Sequence, residues 1–214
     1  ELQYYTSLVR SFDSSLGNML EKLAISIATL SYEVKQAVEG NMSAGQTQKI
    51  AEILEVYKRR VKKPEVSDYR FLNDELEGGK VFKRHESDYY IYDKEQNTHY
   101  LIELKIGGDL DNKKARSEKE AILEQYAILS NTIKGEKKIK IFFATAYNRC
   151  GEGNEWKQER VKQFFADEEL MIGEKFWNFV CKDDNGYKIV LDEYKNNAGV
   201  IKDALESIKK TYLD

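Results

Sequence analysis

Asp88, Glu103 and Lys105 are the residues of this chain whose types and spacing best suit chemistry. The run His85-Glu86-Ser87-Asp88-Tyr89-Tyr90-Ile91-Tyr92 and the run Thr98-His99-Tyr100-Leu101-Ile102-Glu103-Leu104-Lys105 both alternate polar with apolar residues and flank a short polar loop. That pattern predicts a β-hairpin. With Asp93 to Thr98 as the loop, Tyr92 faces His99, Tyr90 faces Leu101 and Asp88 faces Glu103. Side chains alternate faces along a strand, so Asp88, Glu103 and Lys105 share one face, while Ile91, Tyr100, Ile102, Leu104 and Ile106 point the other way into a core. Two carboxylates directly opposite each other repel unless a cation lies between them. Oxygen donors of this kind suit Mg²⁺, with Mn²⁺ as a substitute, and the Lys105 ammonium beside them can orient or activate a water. The chemistry this points to is cleavage of a phosphodiester. The same residues also read as a solvated, charged strand face, and on residue types alone both readings stand.

A chain of 214 residues is long enough for one domain with a substantial core. The net charge of −3 argues against a wholly basic nucleic-acid binder but leaves room for a local basic cleft. No apolar run reaches the length of a bilayer span, and no leader peptide is visible. The first residue is Glu1 rather than Met, which leaves room for a preceding segment. Cys150 and Cys181 make no disulfide framework, in keeping with a reducing cytoplasm. The sequon Asn41-Met42-Ser43 is read as chance.

The elements that must position the hairpin follow from apolar periodicity. Leu16, Leu20, Leu23, Ile27, Leu30, Val34 and Val38 predict one long helix from about Ser14 to Val38, ended by Gly40, Asn41 and Gly45. A second helix is expected over Gln46 to Arg60, with Ile50, Ile53, Leu54 and Tyr57 inward. Val66 to Leu76 is ambiguous, and Val81-Phe82 suggests an extra strand. After the hairpin, Gly107-Gly108 and a polar loop from Asp109 to Lys114 lead into a helix over Ala115 to Ile133, then a buried strand within Lys138 to Tyr147. A loop from Asn148 to Asn154 precedes a helix from about Glu155 to Asp167. Phe176, Trp177, Phe179 and Val180 cluster, and Tyr187 to Tyr194 and Val200 to Tyr212 close the chain as helices. This order suggests one α/β domain with a mixed central sheet flanked by helices, and a right-handed crossover from Leu101 to Tyr147.

Other residues carry two readings each. The basic run Lys58 to Lys63, including Arg59 and Arg60, either tracks a nucleic-acid backbone or completes a helix C-terminus favourably. Lys113, Lys114 and Arg116 open a helix, where its dipole disfavours cations, so an external phosphate is a sensible reason for them. Asn148 and Arg149 have side chains suited to base edges, yet loops collect polar residues anyway. Gln125 and Tyr126 can approach the centre or border the core, and Phe176, Trp177 and Phe179 read more simply as packing than as a stacking platform. A calcium loop from Asp109 to Glu120 fails, because Lys114 stands where the turn needs Gly. Two histidines and two distant cysteines make a zinc site improbable, and no nucleophile elbow, Walker loop or dinucleotide fingerprint is present. His85 either carries protons near the metal or flanks the strand.

A hairpin bearing Asp88, then Glu103-x-Lys105, a helix and a further strand resembles the PD-(D/E)xK nuclease core, with Ser87 where that pattern has Pro. The stretch Ile102-Glu103-Leu104-Lys105-Ile106-Gly107-Gly108-Asp109-Leu110-Asp111-Asn112-Lys113-Lys114-Ala115 resembles a block of type II restriction endonucleases of the TdeIII kind. Arg10-Ser11-Phe12-Asp13-Ser14-Ser15-Leu16-Gly17 is similar to the entry of their first helix, and Ile172-Gly173-Glu174-Lys175-Phe176-Trp177-Asn178-Phe179 to their late aromatic motif. The resemblance implies a restriction-endonuclease-like fold over 1–214, with a helical part to about 76, a catalytic core over about 77–147 and a helical part from about 148. It implies Mg²⁺-dependent hydrolysis of double-stranded DNA at a short palindrome, with a hint of GC-rich sequence, leaving 5′-phosphate and 3′-hydroxyl ends. Asp88 and Glu103 would hold the metal, the Leu104 carbonyl would add a ligand, and Lys105 would position the water. Glu21, within Gly17-Asn18-Met19-Leu20-Glu21-Lys22-Leu23, would reach the metal directly or through water; without the resemblance it reads as a surface glutamate paired with a lysine. A homodimer and a cognate DNA methyltransferase are the partners implied. The competing readings are a repair or recombination nuclease that senses DNA structure, and a non-catalytic DNA-binding α/β protein.

Overall fold

The computed structural model describes residues 17–74 and 78–213; the side chains at 87, 88, 200–202 and 204–213 lie outside that description. The likeness noted over Arg10 to Leu16 likewise falls outside the described residues.

Helix α1 covers 17–28 and buries Ala24 and Ala28. It stops ten residues short of the predicted end, and strand β1 (Glu33–Ser43) takes over. Val34 and Val38 are four apart, a spacing that fits a helical stripe and alternate strand positions equally well. Pairing with a partner strand decides for the sheet, so Gly40 and Asn41 lie inside β1 instead of ending a helix. Helix α2 (Ala44–Lys58) starts at a reciprocal cap: the Ser43 hydroxyl accepts from the Gln46 amide at 3.1 Å, and Gln46 Oε1 accepts from the Ser43 amide at 3.0 Å. A 3-10 helix spans Val66–Asn73 of the ambiguous segment, whose residues 75 and 76 lie outside the described ones.

Strand β2 (Lys80–Asp93) absorbs the expected extra strand at Val81-Phe82 into one long element. β2 pairs antiparallel with β1 and with β3 (Thr98–Leu104), and β3 is parallel to β4 (Ile139–Thr145). Helix α3 (Asn112–Thr132) joins those parallel neighbours. Strand β5 (Leu170–Ile172) adds a parallel edge that three apolar residues were too short to signal. Among the described residues this is a five-stranded mixed sheet in the order β1-β2-β3-β4-β5. Helix α4 (Glu159–Lys162) is a single turn rather than the helix expected over Glu155 to Asp167. Its neighbours serve other elements: Gln163 Nε2 donates to the Tyr57 and Lys58 carbonyls at the end of α2, and Ala166 donates its amide to Glu169. Helix α5 (Glu174–Cys181) carries the aromatic cluster, and α6 (Gly186–Leu213) is one helix where two were expected.

Helices cover both faces of the sheet. Tyr90, Leu101, Ile141 and Phe143 pack with α2 and α3, whereas Tyr89, Ile91, Tyr100, Ile102 and Leu104 pack with α1 and α5. The inward set expected from the hairpin, Ile106 included, is found on that second face. Lys119 of α3 is fully buried, 2.7 Å from Glu169, whose Oε1 also accepts from the Tyr69 hydroxyl. Burial holds the Lys119 ammonium below its usual range, opposed by Glu169.

Gly108 sets the turn from β3 into α3. Its φ of +65° favours glycine, and an added Cβ would stand 2.6 Å from Thr145 Cγ2 and 2.9 Å from Trp156 Cζ2. Gly108→Ala is expected to lose about 1–3 kcal/mol, from backbone strain and overpacking. A urea melt reads this as a lower midpoint at unchanged slope; a midpoint equal to wild type would show that the turn tolerates a side chain.

Candidate active site

The β2–β3 register pairs Asp93 with Thr98, Tyr92 with His99, Tyr90 with Leu101 and Tyr89 with Ile102, the register expected from the sequence. Asp88 and Glu103 are the next positions on the two strands. The Asp93 carboxylate closes the turn by accepting from the amides of Glu95 at 2.9 Å and Gln96 at 3.2 Å. On the other side of β2 the ladder is irregular. Lys35 pairs with Tyr90 and Ala37 with Glu86, so Gln36 alone opposes residues 87–89. Asp88 falls within this break in the ladder.

Glu103 is 8% exposed, on a strand whose other residues are nearly all buried. Its Oε1 accepts from Lys105 Nζ, and Lys105 Nζ also lies 3.4 Å from Glu118 Oε1 on α3. Beyond β3 the backbone stays tied to β4: the Lys105 amide donates to the Ala144 carbonyl at 2.9 Å, and the Ala146 amide to the Ile106 carbonyl at 3.2 Å. Leu104 turns its side chain into the core. Glu21 is half-buried on α1, and its carbonyl accepts from the Tyr89 hydroxyl at 2.9 Å. It lines a cleft with Lys35, Gln36, Arg84 and Glu86, so α1 meets β2 at the bulge that carries Asp88.

Glu118 is a residue the sequence reading passed over. It precedes Ile122, Gln125 and Leu129 by four, seven and eleven positions, which puts it on the buried stripe of α3. An acid at the head of an apolar stripe was the available signal. Lys119 was hidden in the same way, inside the charged run Arg116 to Glu120.

The basic candidates differ in how they are held. Lys113 and Lys114 are exposed in the first turn of α3, where Asp111 caps the helix by accepting from the Lys114 amide at 2.8 Å. Arg116 pairs with Glu120 at 3.1 Å. Arg59 pairs with Glu55 at 2.9 Å, Lys62 with Asp68 at 2.5 Å, and Arg60 takes a left-handed φ of 54° beyond α2. Asn148 is turned into its own loop, with Nδ2 donating to the Asn154 carbonyl at 2.8 Å and Oδ1 accepting from the Cys150 amide at 2.9 Å. Arg149 pairs with Asp109 at 2.7 Å and joins the loops that follow β4 and β3. His85 Nε2 stands 2.8 Å from Glu124 Oε2, flanking the strand. Tyr126 is core, Gln125 is buried beside it, and Trp177 donates its indole N–H to the Ala146 carbonyl at 2.7 Å, so the aromatic cluster packs.

Among the described residues no three His, Cys, Asp or Glu side chains gather as a metal cage; the Asp88 side chain is outside that set. The donors that do approach the end of β3 are carboxylate oxygens beside an ammonium, which fits a hard divalent cation better than zinc or copper.

A mixed sheet covered by helices on both faces, with an Asp-bearing hairpin and Glu-x-Lys at the end of its second strand, is the core of a PD-(D/E)xK nuclease. The family described as type II restriction endonuclease, HinfI, matches residues 1–198, and the chain belongs to that family. It is a type II restriction endonuclease, a site-specific deoxyribonuclease. The match is to the HinfI family and not to the TdeIII kind that the short sequence blocks suggested. No curated protein and no solved structure matches the chain. Among the described residues no helix is long and apolar enough to cross a membrane.

Because Asn148 holds its loop by both ends of its amide, Asn148→Ala is expected to cost about 1–3 kcal/mol. Arg149→Ala, which removes a surface ion pair, is expected to cost about 1 kcal/mol or less. Urea unfolding of the two variants compares them directly; equal losses would mean that Asn148 is not what holds the loop.

Proposed function

We propose that this endonuclease cuts both strands of DNA at a short palindromic site by Mg²⁺-dependent hydrolysis, and that the Glu103–Lys105 pair is the centre of the reaction. The observation that carries the proposal is a buried carboxylate at the end of the central strand, held against a lysine two residues on and adjacent in the hairpin to Asp88. Asp88 and Glu103 hold the cation, with the Leu104 carbonyl as a further oxygen donor and Glu21 acting directly or through water. A bound Mg²⁺, or Mn²⁺ in its place, supplies Lewis-acid polarisation of the scissile phosphate. Lys105 orients the attacking water opposite the leaving 3′ oxygen and steadies the negative charge that grows on the phosphate. The products are a 5′-phosphate and a 3′-hydroxyl.

Lys113, Lys114 and Arg116 contact DNA phosphates from the start of α3, with Arg59 and Arg60 as a second basic patch and Arg149 on the side of the bases, in a loop that Asn148 holds rather than reading bases itself. A palindrome is read by a two-fold symmetric protein, which makes a homodimer the working unit. A DNA methyltransferase of matching specificity protects the host, and the setting is the cytoplasm.

Digestion of phage DNA with Mg²⁺, beside an EDTA control and the Glu103→Ala and Lys105→Ala variants, tests the assignment. Discrete fragments are expected, lost in EDTA and slowed by roughly a hundredfold or more in each variant. Cutting that survives EDTA or Glu103→Ala would sink the assignment, and a smear would favour a structure-reading nuclease. For the phosphate contacts, Lys113→Ala and Lys114→Ala should each lower the slope of log affinity against log salt by about one, alike for cognate and unrelated DNA. An unchanged slope would remove them from the interface.

A further inference from the structure

Lys105 is bracketed by two carboxylates from different elements. Its Nζ donates to Glu103 Oε1 on the same strand and lies 3.4 Å from Glu118 Oε1 on α3. The other charged residues of this part of α3 are engaged elsewhere: Arg116 with Glu120, and Lys119 with Glu169. The Glu118 side chain is 23% exposed and that of Lys105 is 32% exposed, so this is not a fully solvated pair of the kind that contributes little.

We propose that Glu118 is a positioning residue that holds the Lys105 ammonium in the site while Glu103 serves the metal. The inference rests on the reading of Glu103 as a metal ligand and Lys105 as the group that orients water. An ammonium and a divalent cation compete for the same Glu103 oxygens. A lysine that stays on the Glu103 carboxylate opposes the cation, and one that leaves it can swing on its flexible stem toward solvent. Glu118 offers a second anchor on a rigid helix, close enough to take the ammonium over without moving it out of the site. Two effects follow: Glu103 is freer to bind the cation, and Lys105 keeps its aim. Outer partners of this kind typically change metal affinity or activity by about tenfold to a hundredfold.

The test uses the full chain with Glu118→Ala, Glu118→Gln, Lys105→Ala and the Lys105→Ala/Glu118→Ala double variant. Mn²⁺ binding is measured by calorimetry without DNA, and kcat and KM are measured on cleavable DNA. Glu118→Ala is expected to weaken Mn²⁺ binding and lower kcat by roughly tenfold each, with KM for DNA unchanged. Glu118→Gln, which keeps an acceptor and loses the charge, is expected to fall between it and wild type and guards against a folding defect in the alanine variant. The double variant is expected to bind Mn²⁺ as Lys105→Ala does, because Glu118 acts only through Lys105. Wild-type affinity and kcat in Glu118→Ala would overturn the inference. So would a double variant that binds Mn²⁺ much more weakly than Lys105→Ala, since Glu118 would then be a ligand itself. Glu103→Ala with wild-type Mn²⁺ affinity would instead overturn the underlying reading of the site, whatever Glu118 does.

Discussion

A carboxylate buried at the end of a central strand is the constraint on which this structure turns. β3 lies between an antiparallel and a parallel neighbour, with an apolar core on each face, and Glu103 is the acid within its otherwise apolar run from Tyr100 to Leu104. Taking a carboxylate out of water costs several kcal/mol unless positive charge and hydrogen bonds compensate. Lys105 supplies part of that compensation, and a divalent cation in the working enzyme would supply more.

The surrounding elements hold this arrangement through polar contacts as well as packing. The two-glycine turn after β3 brings α3 back over the strand, so that Glu118 reaches Lys105. The bulge opposite Gln36 interrupts the β1–β2 ladder between Glu86 and Tyr90, and the Tyr89 hydroxyl fastens α1 beside it through the Glu21 carbonyl. Farther off, the buried Lys119–Glu169 pair ties α3 to the residue that precedes β5, with Tyr69 and Phe165 rings against the ammonium at 4.9 and 4.8 Å. Removing one member of such a pair would leave a buried charge unmatched, which makes it a firm link between helix and sheet.

Much of this was legible in the sequence, for physical reasons that can be named. The hairpin register followed from the short polar loop between two strand-like runs, and a one-residue slip would have exchanged the face that carries Leu101 and Glu103 with the face that carries Tyr100, Ile102 and Leu104. Helices α2 and α3 announced themselves through long apolar stripes, while the caps at Ser43 and Asp111 that start them went unread, so both were begun two to three residues late. The first helix was overrun because Val34 and Val38, four apart, extend its helical stripe; paired with β2 they lie on either side of the bulge at Gln36 and pack in the cores on opposite faces of the sheet. β5 was invisible at three residues, and the bulge at Gln36 is a property of two strands together that neither segment encodes alone. Glu118 and Lys119 were missed since a charged run on a helix normally faces solvent. Asn148 shows the converse: a loop asparagine that looked available to a ligand spends its amide on its own turn.

Anomalous diffraction from crystals of the enzyme grown with Mn²⁺ would test most directly whether the buried carboxylate is the metal centre. The account predicts an anomalous peak about 2.1 Å from oxygens of both Glu103 and Asp88, with Lys105 shifted onto Glu118. A peak elsewhere on the molecule, with Glu103 still paired to Lys105, would contradict it.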